Sequence, residues 1–354
     1  MKVLLVGAYP PPYGGIAVQI QHLTRALPRA GVACRVLDIG GGRGAPSAGY
    51  ESVTGPVDFV AKLIRYARSG YMLHLFTNGE NWKSWIVALV VSVVGTLARA
   101  HAIVTITSGG APSYLGRARA PLRALARLAV KLPAALVCRT EAIAQALAPW
   151  RGSAPLVLPA FSLSRLHPAK RLPEAVASFA ARHRPLVASV VIFRWEYDVP
   201  TLLAAFRDVR KTHPSAGLVI VGAGEDEGKL RELVRLWNLG DSILLAGWVP
   251  YDECLAILGE ADVFARTTLY DGDASSVREA LALGVPVVAS RTDFRPDGVV
   301  VFPPGDAEAL RVALVETLAA EKQPPAARAP LSPASDEALV GLYRRVAADG
   351  AEAV

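Results

Sequence analysis

The stretch DVFARTTLYDGDASSVREALALGVPVVAS, residues 262–290, reads as strand, loop, helix and strand in succession. Asp262–Arg266 is a short apolar strand run. Tyr270–Asp273 is a polar loop containing a glycine. Ser275 or Ser276 makes a good N-cap for a helix over Val277–Leu283. Gly284 ends that helix as its C′ residue, and Pro286 opens the next strand, 285–290.

The same alternation continues on both sides. Upstream, strand-like runs occur at 2–8, 33–39, 72–76, 101–107, 134–140, 155–159, 185–193, 217–223 and 242–248, and another follows at 298–303. Most are continuous β-branched runs, the pattern of parallel strands buried on both faces. Helical periodicity fills the segments between them. The predicted class is α/β, with two Rossmann-like doubly wound parallel-sheet domains. The break between the two series falls near 160–184, which is charged, contains proline and is poor in strand character. The expected organisation is an N-terminal domain over 1–165, a linker over 166–184 and a C-terminal domain over 185–325. A proline-rich linker and terminal amphipathic helix over 326–354 would follow, with a route back to the first domain. Gly40–Gly42 with Gly44 reads as a flexible loop.

Composition narrows the class. The chain has 354 residues, 52% hydrophobic and 19% charged, so disordered and disulfide-scaffold classes are excluded. Cys34, Cys138 and Cys254 are odd in number and far apart, and they read as free thiols of a reducing compartment. The opening MKVLLVGAYPPPYGG reads as a buried strand rather than a signal peptide. The uncharged apolar run Trp85–Ala98 is shorter than the roughly 18 apolar residues a spanning helix needs, which predicts a soluble chain. Residues 1–165 hold 18 Lys and Arg against 5 Asp and Glu, whereas the remainder is mildly acidic. A basic first half suits an anionic partner: a membrane face, a phosphorylated substrate or nucleic acid. Nucleic acid fits least, because zinc-finger spacing, a basic tail and an aromatic-plus-basic strand motif are all missing.

Three turns have the residues for anion or nucleotide binding. Gly14-Gly15 joins the first strand to a helix whose N-terminal amides suit a phosphate or carboxylate. Gly222-x-Gly224 makes a similar strand-to-helix turn. In 270–290, Asp271 lies in the loop and Glu279 on the second helical turn, with the unpaired helix N-terminus between them. Carboxylates for hydroxyls and amides for phosphate suit a phosphorylated sugar or a nucleotide.

Residues 271–289 resemble the acidic signature of family-4 glycosyltransferases of the GT-B fold. That signature has two glutamates separated by seven residues, then Ala-x-x-x-Gly-x-Pro-Val-Val-Ala. Here it reads Asp271, seven residues, Glu279 and ALALGVPVVAS. Residues 219–267, the segment VVFPPGDAEALRVALVETLA and the glycine-containing entry at 6–27 are similar to the same family. The resemblance implies two domains facing a cleft, with a nucleotide-diphosphate sugar held by the second. It places Asp271 at donor-sugar hydroxyls and the amides of Gly272, Asp273, Ala274, Ser275 and Ser276 at the sugar or diphosphate. Glu279 would take the ribose hydroxyls, and Trp248 and Val249 would pass beside the base. Arg194 takes the place of the family's phosphate-binding arginine. The family implies retention of anomeric configuration and no metal cofactor, and Asp271-Gly-Asp273 is read against a metal pair.

This sequence departs from the family pattern in several places. No lysine follows Arg194, and one cation stabilises a departing diphosphate less than two. The first acid is Asp271 rather than glutamate. Ser108, before Gly109 and Gly110, stands where the family carries histidine, and His74 is the nearest substitute. LPAFSLS (158–164) replaces the usual Asn-Gly turn.

On the acceptor side, LRALARLAVKL after Pro121 places Leu122, Leu125, Leu128, Ala129 and Leu132 on one side of a helix. Arg123, Arg127 and Lys131 lie on the other, with Arg119 just upstream, a pattern that suits an anionic bilayer. The predicted function is therefore a retaining glycosyltransferase moving a hexosyl group to a lipid-linked or surface-glycan acceptor. Its predicted location is cytoplasmic, peripheral on the inner membrane face. The alternatives are a catalytically weakened GT-B partner protein and a sugar-nucleotide epimerase.

Overall fold

The structure, a computed structural model, describes residues 1–10, 14–40, 50–159, 161, 166–292, 294–320 and 335–351. The prolines of 323–334, most of the 40–44 glycine cluster and most of the 158–164 turn lie outside the described residues. The chain forms two compact units, Met1–Ser162 with Ala334–Val354, and Leu163–Pro333.

The first unit runs β1 (Lys2–Gly7), α1 (Gly15–Arg29), β2 (Ala33–Asp38), β3 (Glu51–Ser52), α2 (Pro56–Arg68), β4 (Tyr71–Thr77), α3 (Trp82–Leu97) and β5 (Ala102–Ile106). It continues through α4 (Gly110–Arg117), α5 (Ala120–Lys131), β6 (Ala135–Cys138), α6 (Glu141–Arg151) and β7 (Leu156–Val157). The strands form one parallel sheet in the order β3-β2-β1-β4-β5-β6-β7. The strand period of two explains why β1 is apolar at successive positions. Leu4 and Val6 enter one core with α2, α3, α5 and α6, while Val3 and Leu5 enter the core on the opposite face. That second core is filled by Ile20, Leu23 and Leu27 of α1. It is completed by Leu339, Val340, Leu342, Tyr343 and Val346 from the terminal helix, Ser335–Ala351.

The second unit runs α7 (Glu174–Arg182), β8 (Leu186–Val190), α8 (Val199–Val209), β9 (Gly217–Val221), α9 (Glu227–Leu236), β10 (Ile243–Gly247) and α10 (Tyr251–Glu260). It continues with β11 (Val263–Arg266), α11 (Ser275–Ala282), β12 (Val287–Ser290), β13 (Val299–Phe302) and α12 (Ala307–Ala319). We label the terminal helix α13. The parallel sheet has the order β10-β9-β8-β11-β12-β13. Residues 166–184, expected as a connection, contain α7, whose Val176, Phe179 and Ala180 are buried in this unit's core.

Both sheets are doubly wound, and each reverses its strand order once. The reversal lies between β1 and β4 in the first unit and between β8 and β11 in the second. Crevices outside the carboxyl ends of strands at such a switch point are where open α/β sheets hold ligands.

Candidate functional site

Four loops leave the carboxyl ends of β8, β9, β10 and β11, two of them flanking the switch point of the second unit. They carry Arg194, Gly222 with Gly224, Trp248 with Val249, and Asp271. The topology thus brings these residues to one sheet edge, although they are spread over 78 positions of sequence.

The β8 and β9 loops are in close backbone contact, and this explains both glycines. A Cβ on Gly222 would sit 1.8 Å from the Val191 carbonyl oxygen, and Gly222 has φ +148°. A Cβ on Gly224 would sit 2.4 Å from the Phe193 carbonyl oxygen. The Gly222 N–H donates to Gly247 O at 2.8 Å, which ties the β9 and β10 loops together. Trp248 follows directly and is 40% exposed. These two glycines serve the loop packing itself. Gly15 differs, since a Cβ there would meet nothing within 4 Å among the described residues. Gly14 caps α1 in extended conformation without a side-chain cap bond.

Arg194 precedes a 3₁₀ turn, Trp195–Tyr197, and is half exposed. Its guanidinium lies 3.1 Å from Glu196 Oε1 and 3.7 Å from Glu225 Oε1. The segment after it enters α8 through Asp198, which has φ +45°.

Asp271 is an anchor. Its Oδ2 accepts from Arg266 Nε at 3.1 Å and from Arg295 Nη1 at 3.2 Å. Its Oδ1 accepts from the Gly272 N–H at 3.0 Å. Both guanidiniums are buried and fully directed: Arg266 also donates to Val190 O, and Arg295 to Ser290 O and Thr268 Oγ1. Burial outweighs the Asp271 charge for Arg295 and holds its pKa below the ordinary arginine value. Arg266 is likewise opposed by burial, yet the Asp271 and Tyr197 charges carry it upward. Asp273 forms a second buried pair, with Arg278 Nε at 2.5 Å. The two carboxylates of Asp271-Gly-Asp273 thus face guanidiniums.

Helix α11 starts at Ser275, with Ala274 as N-cap and no side-chain cap bond. This corrects the expectation that Ser275 or Ser276 caps the helix. The local reason is the Asp273–Arg278 pair, which spans the entry and moves both serines into the first turn. Gly284 does end the helix as expected, at φ +80°, and its N–H donates to Leu281 O. Glu279 is 4% exposed, and its Oε1 accepts from the Tyr251 hydroxyl at 2.9 Å.

In the first unit, the Ser108 hydroxyl donates to the Glu80 carboxylate and accepts from the Gly110 N–H at 3.2 Å. Gly109 caps α4. Glu80 and Ser108 sit in the loops after β4 and β5, at the carboxyl edge of that sheet. His74 lies in the interior of the same unit. It is fully buried, with Nδ1 2.6 Å from the Tyr343 hydroxyl and Nε2 2.7 Å from Thr105 Oγ1. Burial, and secondarily the Arg139 charge, hold its pKa well below the ordinary histidine value. Both ring nitrogens are engaged, so the geometry gives His74 a packing role in place of the expected catalytic one. In α5, Leu122 and Leu125 pack on the core, but Leu128 and Leu132 are exposed beside Arg123, Arg127 and Lys131. Arg119 is the N-cap of α5.

Sequence reasoning missed Arg266, Arg295, Arg278, Tyr251 and Glu80. Arg266 had a readable signal, since a cation closes the apolar strand DVFAR at its carboxyl end. Arg295, 24 residues beyond Asp271 in a loop, had none.

Residues 170–327 match the family model described as Glycosyl transferases group 1. The chain is 30% identical over 148 residues to the amylovoran biosynthesis glycosyltransferase AmsK of Erwinia amylovora, covering 38% of this chain and 36% of that protein. It is 35% identical over 109 residues to the putative colanic acid biosynthesis glycosyltransferase WcaL of Salmonella typhimurium, covering 27% of each. The chain thus spans about a third of the length of these curated relatives. Among solved structures, a sucrose-phosphate synthase from Thermosynechococcus elongatus superposes with TM-score 0.73 at 20% identity, over 99% of this chain and 100% of that one. HepE of Anabaena in complex with UDP-glucose superposes with TM-score 0.68 at 16% identity, over 100% and 99%. The chain has the two-domain Rossmann-like GT-B fold, and the matched family and relatives support a glycosyltransferase.

Proposed function

We propose that this chain transfers a sugar from a nucleotide-diphosphate sugar to an acceptor hydroxyl, with the donor held by the second unit. The carrying observation is the gathering of the β8–β11 loops at the switch point, with the side-chain-uncapped N-terminus of α11 among them. Helix N-terminal amides offer oriented donors to a diphosphate. In this reading Ser275 and Ser276 present those amides, with Gly272, Asp273 and Ala274 leading into them. Arg194 meets the charge that develops on the leaving diphosphate. Glu279 takes the ribose hydroxyls while Tyr251 fixes its rotamer. Trp248 and Val249 flank the base, and Gly222 and Gly224 allow the β9 loop its close approach. Asp271 Oδ1 has a second lone pair for a sugar hydroxyl while Oδ2 holds the two arginines.

The acceptor oxygen attacks the anomeric carbon on the face from which the diphosphate departs, so that the new C–O bond forms as the bond to the diphosphate oxygen breaks, the hydroxyl proton passes to that departing oxygen and configuration is retained; this reading calls for no metal. In the same reading the acceptor is a glycan, lipid-linked at the cytoplasmic membrane face, met by Ser108 and Gly109 of the first unit, while Gly14 and Gly15 are donor-binding residues; relatives named for amylovoran and colanic acid biosynthesis support the glycan part of it.

The test is a thermal-shift panel of UDP, GDP, ADP, TDP and their sugar conjugates, followed by transfer assays with the donor that binds. A ligand at about 100 times its Kd adds about 2.7 kcal/mol of stability. A shift with one nucleotide class, lost in Glu279→Ala, supports the donor site; no shift with any overturns it. A second reading, a GT-B partner protein with weakened catalysis, is favoured by Arg194 being already flanked by Glu196 and Glu225. Nucleotide binding without turnover across an acceptor panel would select it.

A further inference from the structure

Helix α3 is unusual for an outer-layer helix. It crosses from β4 to β5 with Trp85, Ala88, Val91 and Val94 turned into the core, yet its outward side is apolar as well. Positions 82, 86, 89, 93 and 97 recur at helical spacing along one side. Trp82 is 54% exposed, Ile86 38% and Leu97 81%, with half-buried Leu89 and Val93 between them. The single charge in α3 is Lys83. Surface helices of globular domains carry polar residues on that side.

Helix α5 packs beside α3 on the same face of the sheet. It adds exposed Leu128 and Leu132 next to Arg123, Arg127 and Lys131. The charge here is wholly one-sided. From Asn81 to Thr140 the sequence contains no Asp or Glu and eight Lys and Arg, Lys83, Arg99 and Arg119 among them. All eight are exposed except Arg139.

We infer that the outer face of α3 and α5 docks on an anionic membrane surface, with the α3 stripe seated in the boundary between headgroups and acyl chains. Trp82 and Ile86 at one end and Leu97 at the other lie in the membrane plane, and the cations of α5 meet lipid phosphates alongside. A helix of 16 residues is about 24 Å long, short of the roughly 30 Å hydrocarbon core. No described helix is long and apolar enough to cross a membrane. The helix therefore lies along the interface. A second copy of this chain fits poorly, because a two-fold contact would set the same cations against one another. The inference stands apart from the transferase reading, since it uses only surface residues of the first unit.

The experiment is flotation of the full-length chain with unilamellar vesicles of phosphatidylcholine alone and of phosphatidylcholine mixed with phosphatidylglycerol. Binding is expected only to the mixed vesicles, and it should fall steeply as salt is raised. Ile86→Glu with Leu97→Glu should weaken it at least about tenfold, and Arg123→Glu with Lys131→Glu by a similar factor. Unchanged melting points of both variants control for folding, as all four residues are on the surface. A further readout is blue-shifted tryptophan emission with vesicles, diminished in Trp82→Phe. No binding to mixed vesicles overturns the proposal. So does binding that both double variants retain, or a dimer in solution that Ile86→Glu dissociates.

Discussion

The Tyr251 hydroxyl donates to Oε1 of Glu279 at 2.9 Å, which joins the first residue of α10 to the second turn of α11. Tyr251 therefore sets the rotamer of the carboxylate that the proposed donor site depends on. Tyr251→Phe keeps the ring and removes the hydroxyl that makes this bond. We expect nucleotide affinity to fall by about tenfold, the equivalent of about 1.4 kcal/mol, as measured by calorimetric titration of the nucleotide that stabilises the chain. Unchanged affinity would detach Glu279 from the binding site.

Asp271 makes the opposite prediction, about stability first. Removing it leaves Arg266 and Arg295 buried without their shared carboxylate. Breaking a buried pair from one side costs about 3–5 kcal/mol. Asp271→Ala should lower the urea midpoint of the second unit by a corresponding amount, and Asp271→Glu should recover part of it. A midpoint equal to that of the unsubstituted chain would refute the anchoring role.

Gly222→Ala and Gly224→Ala test whether the β8 and β9 loops must stay in contact. Each added methyl group meets a carbonyl oxygen far inside van der Waals distance. Overpacking of this kind costs about 1–3 kcal/mol or more, and Gly222 adds strain at positive φ. Both variants should unfold at lower denaturant, with Gly222→Ala the worse. Gly15→Ala, where the methyl group meets nothing, should leave stability within about 0.5 kcal/mol of the parent.

His74 predicts a pH effect on folding. Its pKa in the folded chain lies well below the ordinary value, so the unfolded chain binds the proton more readily. The stability this contributes is fully present above the unfolded pKa of about 6.5, and it is lost as pH falls from there toward the folded pKa. The acid limb of the stability profile should steepen by up to about 1.4 kcal/mol per pH unit, and His74→Gln should remove that increment. Urea unfolding at several pH values between neutrality and pH 5 measures it. An identical slope in the variant would show that another group carries the acid sensitivity.

The parts of the fold legible in the sequence are those set by near neighbours. Each apolar run named from sequence contains a strand, because a strand buried on both faces must be apolar at successive positions. Gly284 was legible as a helix stop for the same local reason. The two-residue edge strand Glu51–Ser52 escaped because it buries little and shows no apolar run. At the candidate site, Asp271 and Glu279 were found by spacing, but the neighbours that constrain them were not. Arg295 and Tyr251 arrive from other loops and helices, and nothing local to Asp271 or Glu279 announces them. In α5 the spacing put five apolar residues on one side without saying which are covered: Leu122 and Leu125 pack on the core, whereas Leu128 and Leu132 are exposed, because the neighbouring helix decides how wide the covered stripe is.

The docking of α13 on the first unit also sets an order of events during synthesis. The Tyr343 hydroxyl meets a ring nitrogen of His74 across 269 positions of sequence, and the second unit is encoded entirely between them. The ribosome therefore releases everything the second sheet needs before it releases the helix that closes one face of the first. Until residue 346 emerges, Val3, Leu5 and Phe76 lack their cover from α13. The amino-terminal unit, although made first, is finished last. A stop codon or proteolytic cut before α13 would leave an intact second unit tethered to an unfinished, adhesive partner.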